Sequence, residues 1–235
     1  MRKIKGLIKK RWYSIYAQSI FTVLVFIPMV LLSYLFASRM VHNYIIERAD
    51  KIINLERIKI EAELMELSTA LGIFSESVKD MLISGDDESR LRQLFFKQTD
   101  FLRSITESSF FTHRGFYGYF YTLDDIPVYI NCMNRKLPDD FNPANQPWYQ
   151  AAIAAGGKIG ESYPYLDLES GEVVFSYARS IFNNDGQMLG VVCLDVLIRD
   201  IAQYIIDTSF IQGGFGILLS QDLILISFMA FIAES

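Results

Sequence analysis

Apolar and polar residues fall into three regimes along this chain. In the first, residues 12–38 hold no charged side chain at all. As a helix rising about 1.5 Å per residue, that run reaches about 40 Å, more than the about 30 Å of a bilayer's hydrocarbon core. Trp12, Tyr13 and Tyr16 at one end, and Tyr34 toward the other, stand where interfacial aromatic belts belong. The pattern predicts a transmembrane helix. A cleaved signal peptide is the competing reading, disfavoured because the run is too long and no small-x-small cleavage site stands out near Ala37.

In the second regime, residues 40–83, Gly72 is the only glycine and proline is absent. Apolar residues fall at Ile46, Ala49, Ile53, Ile60, Leu64, Leu67, Leu71, Phe74, Val78 and Met81. From Ile60 the spacing alternates four and three, the period of a packed helical seam, and only Glu56-Arg57 interrupts it. This predicts a stalk helix about 66 Å long. It could serve as a dimerising rod or pack only on its own domain's sheet. The two are compatible if the membrane-near half pairs between chains and the distal half lies on the sheet. Ser84-Gly85-Asp86-Asp87 ends the helix. A second follows over 88–107, with Asp86 or Asp87 as N-cap and Leu91, Leu94, Phe95, Phe101, Leu102 and Ile105 as its apolar face.

The third regime is the two-residue alternation of strands. Over 110–122, Phe116, Gly118 and Phe120 alternate with Tyr117, Tyr119 and Tyr121. A turn at 123–125 leads to a return strand at 127–133. Residues 134–146 read as a loop. Pro147 opens a short helix that Gly156-Gly157 closes. Strands are then predicted at 163–168, 172–182 and 188–197, a helix at 199–210, and one more hairpin over 215–227. Residues 223–233 are too short for a second membrane span. The sum is an α+β fold of about five antiparallel strands with one helix inserted, helices packing on one sheet face and the other face left for a ligand.

Charge divides the chain further. Arg2, Lys3, Lys5, Lys9, Lys10 and Arg11 precede the apolar run, which places the N-terminus in the cytoplasm and everything after Arg39 outside it. Setting those six aside leaves 16 basic residues against 27 acidic ones, a poor surface for nucleic acid. With only His42 and His113 and no Cys-x-x-Cys, a zinc site is not expected, and neither is any cofactor. Cys132 and Cys193 are either a disulfide pair or two small buried hydrophobes on strands, the second being the ordinary case.

Candidate chemistry gathers in residues 141–197. Trp148, Tyr149, Tyr163, Tyr165, Asp167 and Asp195 combine aromatic walls with carboxylates, a combination that suits a cationic amine. The plainer reading is that the aromatics are core and the acids solvated strand ends. No Gly-x-Ser-x-Gly, P-loop, dinucleotide fingerprint or Cys/His pair speaks for an enzyme.

Taken in order, Pro-Trp-Tyr-x-x-Ala at 147–152, Tyr-x-Asp at 165–167, Val-Phe-Ser-Tyr-Ala-x-Ser-Ile at 174–181 and Asp-Gly-Gln-x-x-Gly-Val-x-x-x-Asp at 185–195 resemble the membrane-distal module of a double Cache sensor domain. The resemblance covers about residues 39–227. It implies a PAS-like antiparallel sheet carried by a long N-terminal helix, in the extracytoplasmic part of a bacterial chemoreceptor, sensor histidine kinase or diguanylate cyclase. In members that bind amino acids, an Arg two residues before the Trp and a Tyr seven before it hold the ligand carboxylate. Here those positions are Gln146 and Phe141. The positions that hold the ligand amine match, as Trp148, Tyr149, Tyr165, Asp167 and Asp195. The resemblance therefore implies a kept amine half and a missing carboxylate half, and a ligand that is an amine without a carboxylate.

The expected organisation is a cytoplasmic basic tail at 1–11, a transmembrane helix at 12–38, a stalk at 39–84, a Cache module at 85–210 and the start of a second, incomplete module at 211–235. The expected partners are a small-molecule ligand (an amine or an amino-acid-like compound), the bacterial cytoplasmic membrane and a second copy through the stalk. A membrane-anchored interaction protein with a vestigial pocket is the rival reading. The tail 228–235 does not resemble the family, and the expectation is a receptor truncated within its second module.

Overall fold

The computed structural model describes residues 2–107, 109–121, 127–132, 141–167, 170–207, 215–219 and 225–230, the side chains of residues 2–15, 206 and 215–230 excepted. The expected turns at 123–125, 212–214 and 221–222, the loop at 134–140 and the tail at 231–235 lie outside the described residues. The chain divides into two units, Met1–Ile58 and Lys59–Ser235.

One helix, α1 (Arg2–Ser84), runs through the first unit and opens the second. No helix-breaking pair interrupts it, and Pro28 is its one internal proline. From Tyr16 it is long and apolar enough to cross a membrane. In the first unit its apolar side chains, from Ile20 and Phe21 through Phe36 to Ile46 and Ile53, are exposed.

In the second unit the four-three seam finds its partner. Ile60, Leu67, Leu71, Phe74 and Val78 are buried on the sheet, with Leu64 and Met81 packed beside them. After Gly85, α2 (Glu88–Ile105) starts at Asp87, whose carboxylate accepts from the backbone N–H of Arg90 at 2.8 Å. That bond satisfies one of the helix's free N-terminal donors. Helix α2 buries Leu91, Phe95, Thr99 and Leu102. Phe74 stacks on Phe116 at 4.1 Å and meets Phe95 edge-on at 4.8 Å, so α1, α2 and the sheet share one aromatic core.

The remaining elements are β1 (His113–Phe120), β2 (Val128–Asn131), α3 (Pro147–Ala155), β3 (Ile159–Glu161), β4 (Tyr165–Leu166), β5 (Val173–Phe182), β6 (Met188–Leu197), α4 (Ile198–Asp207), β7 (Phe215–Leu219) and β8 (Leu225–Ala230). The last two form a separate hairpin. The main sheet is antiparallel, ordered β2-β1-β6-β5-β3, with β4 also paired to β5. It has six strands rather than five. Within the expected strand 163–168, β4 begins only at Tyr165 because Pro164 has no N–H to give a ladder, and residue 168 lies outside the described residues; the unexpected β3 pairs with β5 just after the Gly156-Gly157 turn. A short 3-10 turn, Pro143–Asn145, lies in the expected loop and is capped by Asn142.

Strand alternation gives the sheet two unlike faces. One carries Phe116, Phe120, Ile130, Phe175, Tyr177, Ile181, Val192, Leu194 and Val196 against α1, α2 and Ile201 of α4. The other carries Tyr117, Tyr119, Tyr129, Ala178, Val191 and Cys193 against Trp148 and Ala152 of α3. The second face holds the candidate site.

Helix α3 lies unusually close to β3. A Cβ on Gly160 would stand 2.3 Å from the Ala151 carbonyl oxygen, so only glycine permits this approach. The Ser180 hydroxyl donates to the Ala152 carbonyl at 2.5 Å and pins the helix from β5. At the far end of α3, Arg179 donates to the Gly157 carbonyl at 2.8 Å and to the Gly72 carbonyl of α1 at 3.3 Å, and pairs with Glu76 at 2.6 Å. The helix over the candidate site is thus tied through one guanidinium to α1.

Candidate functional site

Asp195 sits on the second face, toward the C-terminal end of the sheet's central strand. It lies on β6, a strand otherwise almost wholly apolar, and is 5 % exposed. The β5–β6 register places Ser176 directly across from it. Tyr117, on β1, pairs with Cys193, two residues back along β6 and on the same face. Tyr165 comes from β4, paired with β5 at Val174. Four strands therefore deliver four polar groups to one point.

The hydrogen bonds converge on a single oxygen. Ser176 donates its hydroxyl to Asp195 Oδ1 at 2.6 Å, and Tyr117 donates to the same atom at 2.7 Å. Tyr165 lies 2.7 Å from Ser176 Oγ and 3.5 Å from Asp195 Oδ1. Ser176 has one proton and gives it to Asp195, so Tyr165 donates to Ser176. Burial pushes the Asp195 carboxyl up to about 7 from 3.8; the two hydroxyls oppose this, the nearby Asp167 adds to it and Arg114 reduces it. The Tyr117 phenol is raised well above its usual range by burial and by Asp195.

The aromatic residues form the walls. Trp148, at the start of α3, is buried edge-on to Tyr117 at 5.5 Å and to Tyr149 at 5.8 Å. Tyr149 shares a 2.6 Å hydrogen bond with Tyr121. Phe141 lies 6.5 Å from Tyr119 and 6.4 Å from Tyr129, centroid to centroid, on the side of β1 and β2. Gln146 is the residue from which α3 starts, half-buried, and its side chain caps no backbone N–H of that helix. Tyr163 is exposed.

Asp167 occupies a turn. Its Oδ2 accepts from the backbone N–H of Ser170 at 3.0 Å and from the Ser170 hydroxyl at 2.6 Å, and Arg114 approaches it at 3.9 Å. Arg114 also pairs with Glu172 at 3.1 Å, and Glu172 with Arg199 at 2.6 Å. Tyr165 and Asp195 thus meet directly, Trp148 reaches them through Tyr117, and Asp167 flanks them from the β4–β5 turn. Sequence reasoning missed Tyr117 and Ser176. Tyr117 was visible only as one member of the Tyr117, Tyr119, Tyr121 alternation, and nothing local marked Ser176.

The cysteines are both free. Cys193 is buried on the site face, whereas Cys132, just past β2, donates its thiol to the Arg114 carbonyl at 3.2 Å. Chemically, the site is a buried carboxyl with hydroxyl partners and aromatic walls, an arrangement that attracts an ammonium group.

Residues 88–203 match the family model described as the methyl-accepting chemotaxis protein-like first PDC sensor domain. The methyl-accepting chemotaxis protein McpB of Bacillus subtilis is 24% identical over 206 residues, which cover 86% of this chain and 29% of that protein. The chain thus spans under a third of that relative's length. The ligand-binding domain of the Pseudomonas fluorescens chemoreceptor CtaA, solved with L-alanine, superposes with a TM-score of 0.51 at 20% identity, covering 77% of this chain and 70% of that one. That of the Pseudomonas aeruginosa amino acid chemoreceptor PctC, solved with GABA, gives 0.52 at 17% identity, with 77% and 74% covered. The antiparallel sheet order, the matching model and these likenesses agree: over residues 88–203 the chain carries a Cache-type, methyl-accepting chemotaxis protein-like first PDC sensor domain.

Proposed function

We propose that the chain is the extracytoplasmic, ligand-sensing part of a membrane chemoreceptor, that it binds rather than transforms its ligand, and that the ligand is a small amine lacking a carboxylate. One observation carries this reading: Asp195 is a buried carboxyl that no cation of the described residues pairs with. A buried carboxylate demands a counter-charge, and an ammonium ligand provides it. CtaA and PctC, solved with L-alanine and GABA, support an ammonium as the common feature of such ligands. Both of those compounds also carry a carboxylate. Where the resemblance places Arg and Tyr for that group, this chain has Gln146 and Phe141. A ligand carboxylate there would lose its hydration without gaining a charged partner, a cost of several kcal/mol.

Pairs that differ only by the carboxylate test this: phenethylamine against phenylalanine, histamine against histidine. Melting of the full chain in nanodiscs should rise with the amine of a pair and not with the acid. Gln146→Arg should shift preference toward the acid, by about tenfold or more. A wild-type preference for the acids would sink the ligand assignment, and indifference to both would favour a vestigial pocket.

In the same reading α1 crosses the cytoplasmic membrane once, basic end inside, and pairs with a second copy along Ile46, Ala49 and Ile53. Ile46 and Ile53 are exposed in the single chain. A disulfide formed in membranes by Ile53→Cys is the expected sign of pairing; its absence under oxidation would remove the dimer.

A further inference from the structure

We propose that ligand and proton compete for one atom, Asp195 Oδ2: the empty site holds a proton there, and the ammonium binds by displacing it, while Tyr117 and Ser176 act as positioning residues that keep Oδ1 engaged. This rests on the amine reading above and adds a regulation to it.

The geometry separates the two oxygens. Oδ1 accepts two short hydroxyl bonds, from Ser176 and Tyr117, which use both of its lone pairs. Tyr165 backs Ser176 and stands 3.5 Å from the same oxygen. Among the described residues no donor reaches Oδ2. No buried side-chain oxygen or nitrogen of those residues lacks a partner, so Oδ2 keeps contact with open space. It is the atom of the carboxyl left for something from outside.

The charges around it set what that is. From β1 comes Arg114, drawn to Glu172 and Asp167 rather than to Asp195. From the β4–β5 turn comes Asp167, of like charge, and from β6 the Cys193 thiol. Tyr117 and Tyr165 are neutral, and α3 carries no charged residue. A carboxyl so placed has three neutral hydroxyls near it and no ion partner. Burial then favours its neutral form. With both Oδ1 lone pairs accepting, the proton of that form belongs on Oδ2. The upward displacement to about 7 agrees with this placement.

The exchange balances simply. An ammonium enters as R–NH3+, the carboxyl gives its Oδ2 proton to solvent, and the resulting carboxylate accepts a hydrogen bond from the ammonium. No other bond forms or breaks. Affinity for an amine therefore rises with pH until the empty site has lost its proton, and then levels.

Calorimetric titration of the full chain in nanodiscs with phenethylamine tests this, from about pH 5.5 to about pH 8.5 and in two buffers of different ionisation enthalpy. The expected result is a Kd that falls about tenfold per pH unit below about 7 and flattens above, with about half a proton released per ligand near pH 7. Ser176→Ala and Tyr117→Phe remove donors that favour the carboxylate, so each should move the break to higher pH; Ser176→Thr should restore it. A merely structural role would weaken binding at every pH and leave the break in place. Amine binding without proton release, or an unmoved break in both variants, overturns the inference alone. No amine binding from phenethylamine or histamine at any pH overturns the amine reading, and the inference with it.

Discussion

Asp195→Asn is expected to abolish amine binding and, above pH 7, to make the protein more stable. The two effects share a cause. In the folded chain burial raises this carboxyl to about 7, against 3.8 for a free side chain. Between those values the folded state holds a proton that the unfolded state has lost. Stability contributed by the group is therefore complete below about pH 4 and falls as pH rises toward 7. A displacement of this size corresponds to about 4 kcal/mol, an order-of-magnitude figure. An amide at residue 195 can still accept from Ser176 and Tyr117 but carries no charge to desolvate, so this residue's share of the pH dependence should vanish, leaving that of groups such as His113, which burial lowers to about 4. The ammonium meanwhile loses its counter-charge, and affinity should drop by about 100-fold or more. Unfolding in denaturant at about pH 5 and about pH 8 checks the first effect and calorimetry the second. An Asn variant no more stable than wild type at the higher pH would show that Asp195 lies in a wetter place than the fold indicates.

Trp148→Ala is expected to cost about 3 to 5 kcal/mol of folding stability, the usual range for emptying a buried indole. Trp148 is 4 % exposed and fills the space between Tyr117 and Tyr149. Its removal also frees the Tyr117 ring, which holds Asp195 Oδ1. Binding should therefore fall even at temperatures where the variant is folded. Trp148→Phe refills part of the space and should recover much of the stability. A Trp148→Ala protein within about 1 kcal/mol of wild type would mean that α3 is not seated on the sheet as described.

Some of this architecture is written locally and some is not. Helix α3 was legible to the residue, because Pro147 fixes its first turn and Gly156, at φ 56°, ends it. Strands β5 and β6 were legible because Asn183-Asn184-Asp185-Gly186 is a turn in any context. Strand β3 was not. Its three residues include Gly160, a poor strand former that is needed because α3 passes so near, and that approach is a tertiary fact. The same division runs through the site. Trp148, Tyr149, Tyr165 and Asp195 could be named from type and order. Ser176 could not, since a serine in a strand has no local signature, and its role comes from a register that sets it opposite Asp195. Asp167, expected from the sequence among the ligand groups, accepts from the Ser170 backbone N–H and faces Arg114; the ion pair with Arg114 comes from strand pairing and had no local signal.

In the proposed reading Asp195 recognises the ammonium, while Gln146 and Phe141 disfavour a carboxylate. The most direct test is a crystal structure of the sensor domain within the full chain, solved with phenethylamine bound. The expected result is an ammonium nitrogen about 3 Å from Asp195 Oδ2, under Trp148 and Tyr149. An amine found away from Asp195, or a site filled instead by an amino acid whose carboxylate rests against Gln146, would contradict it.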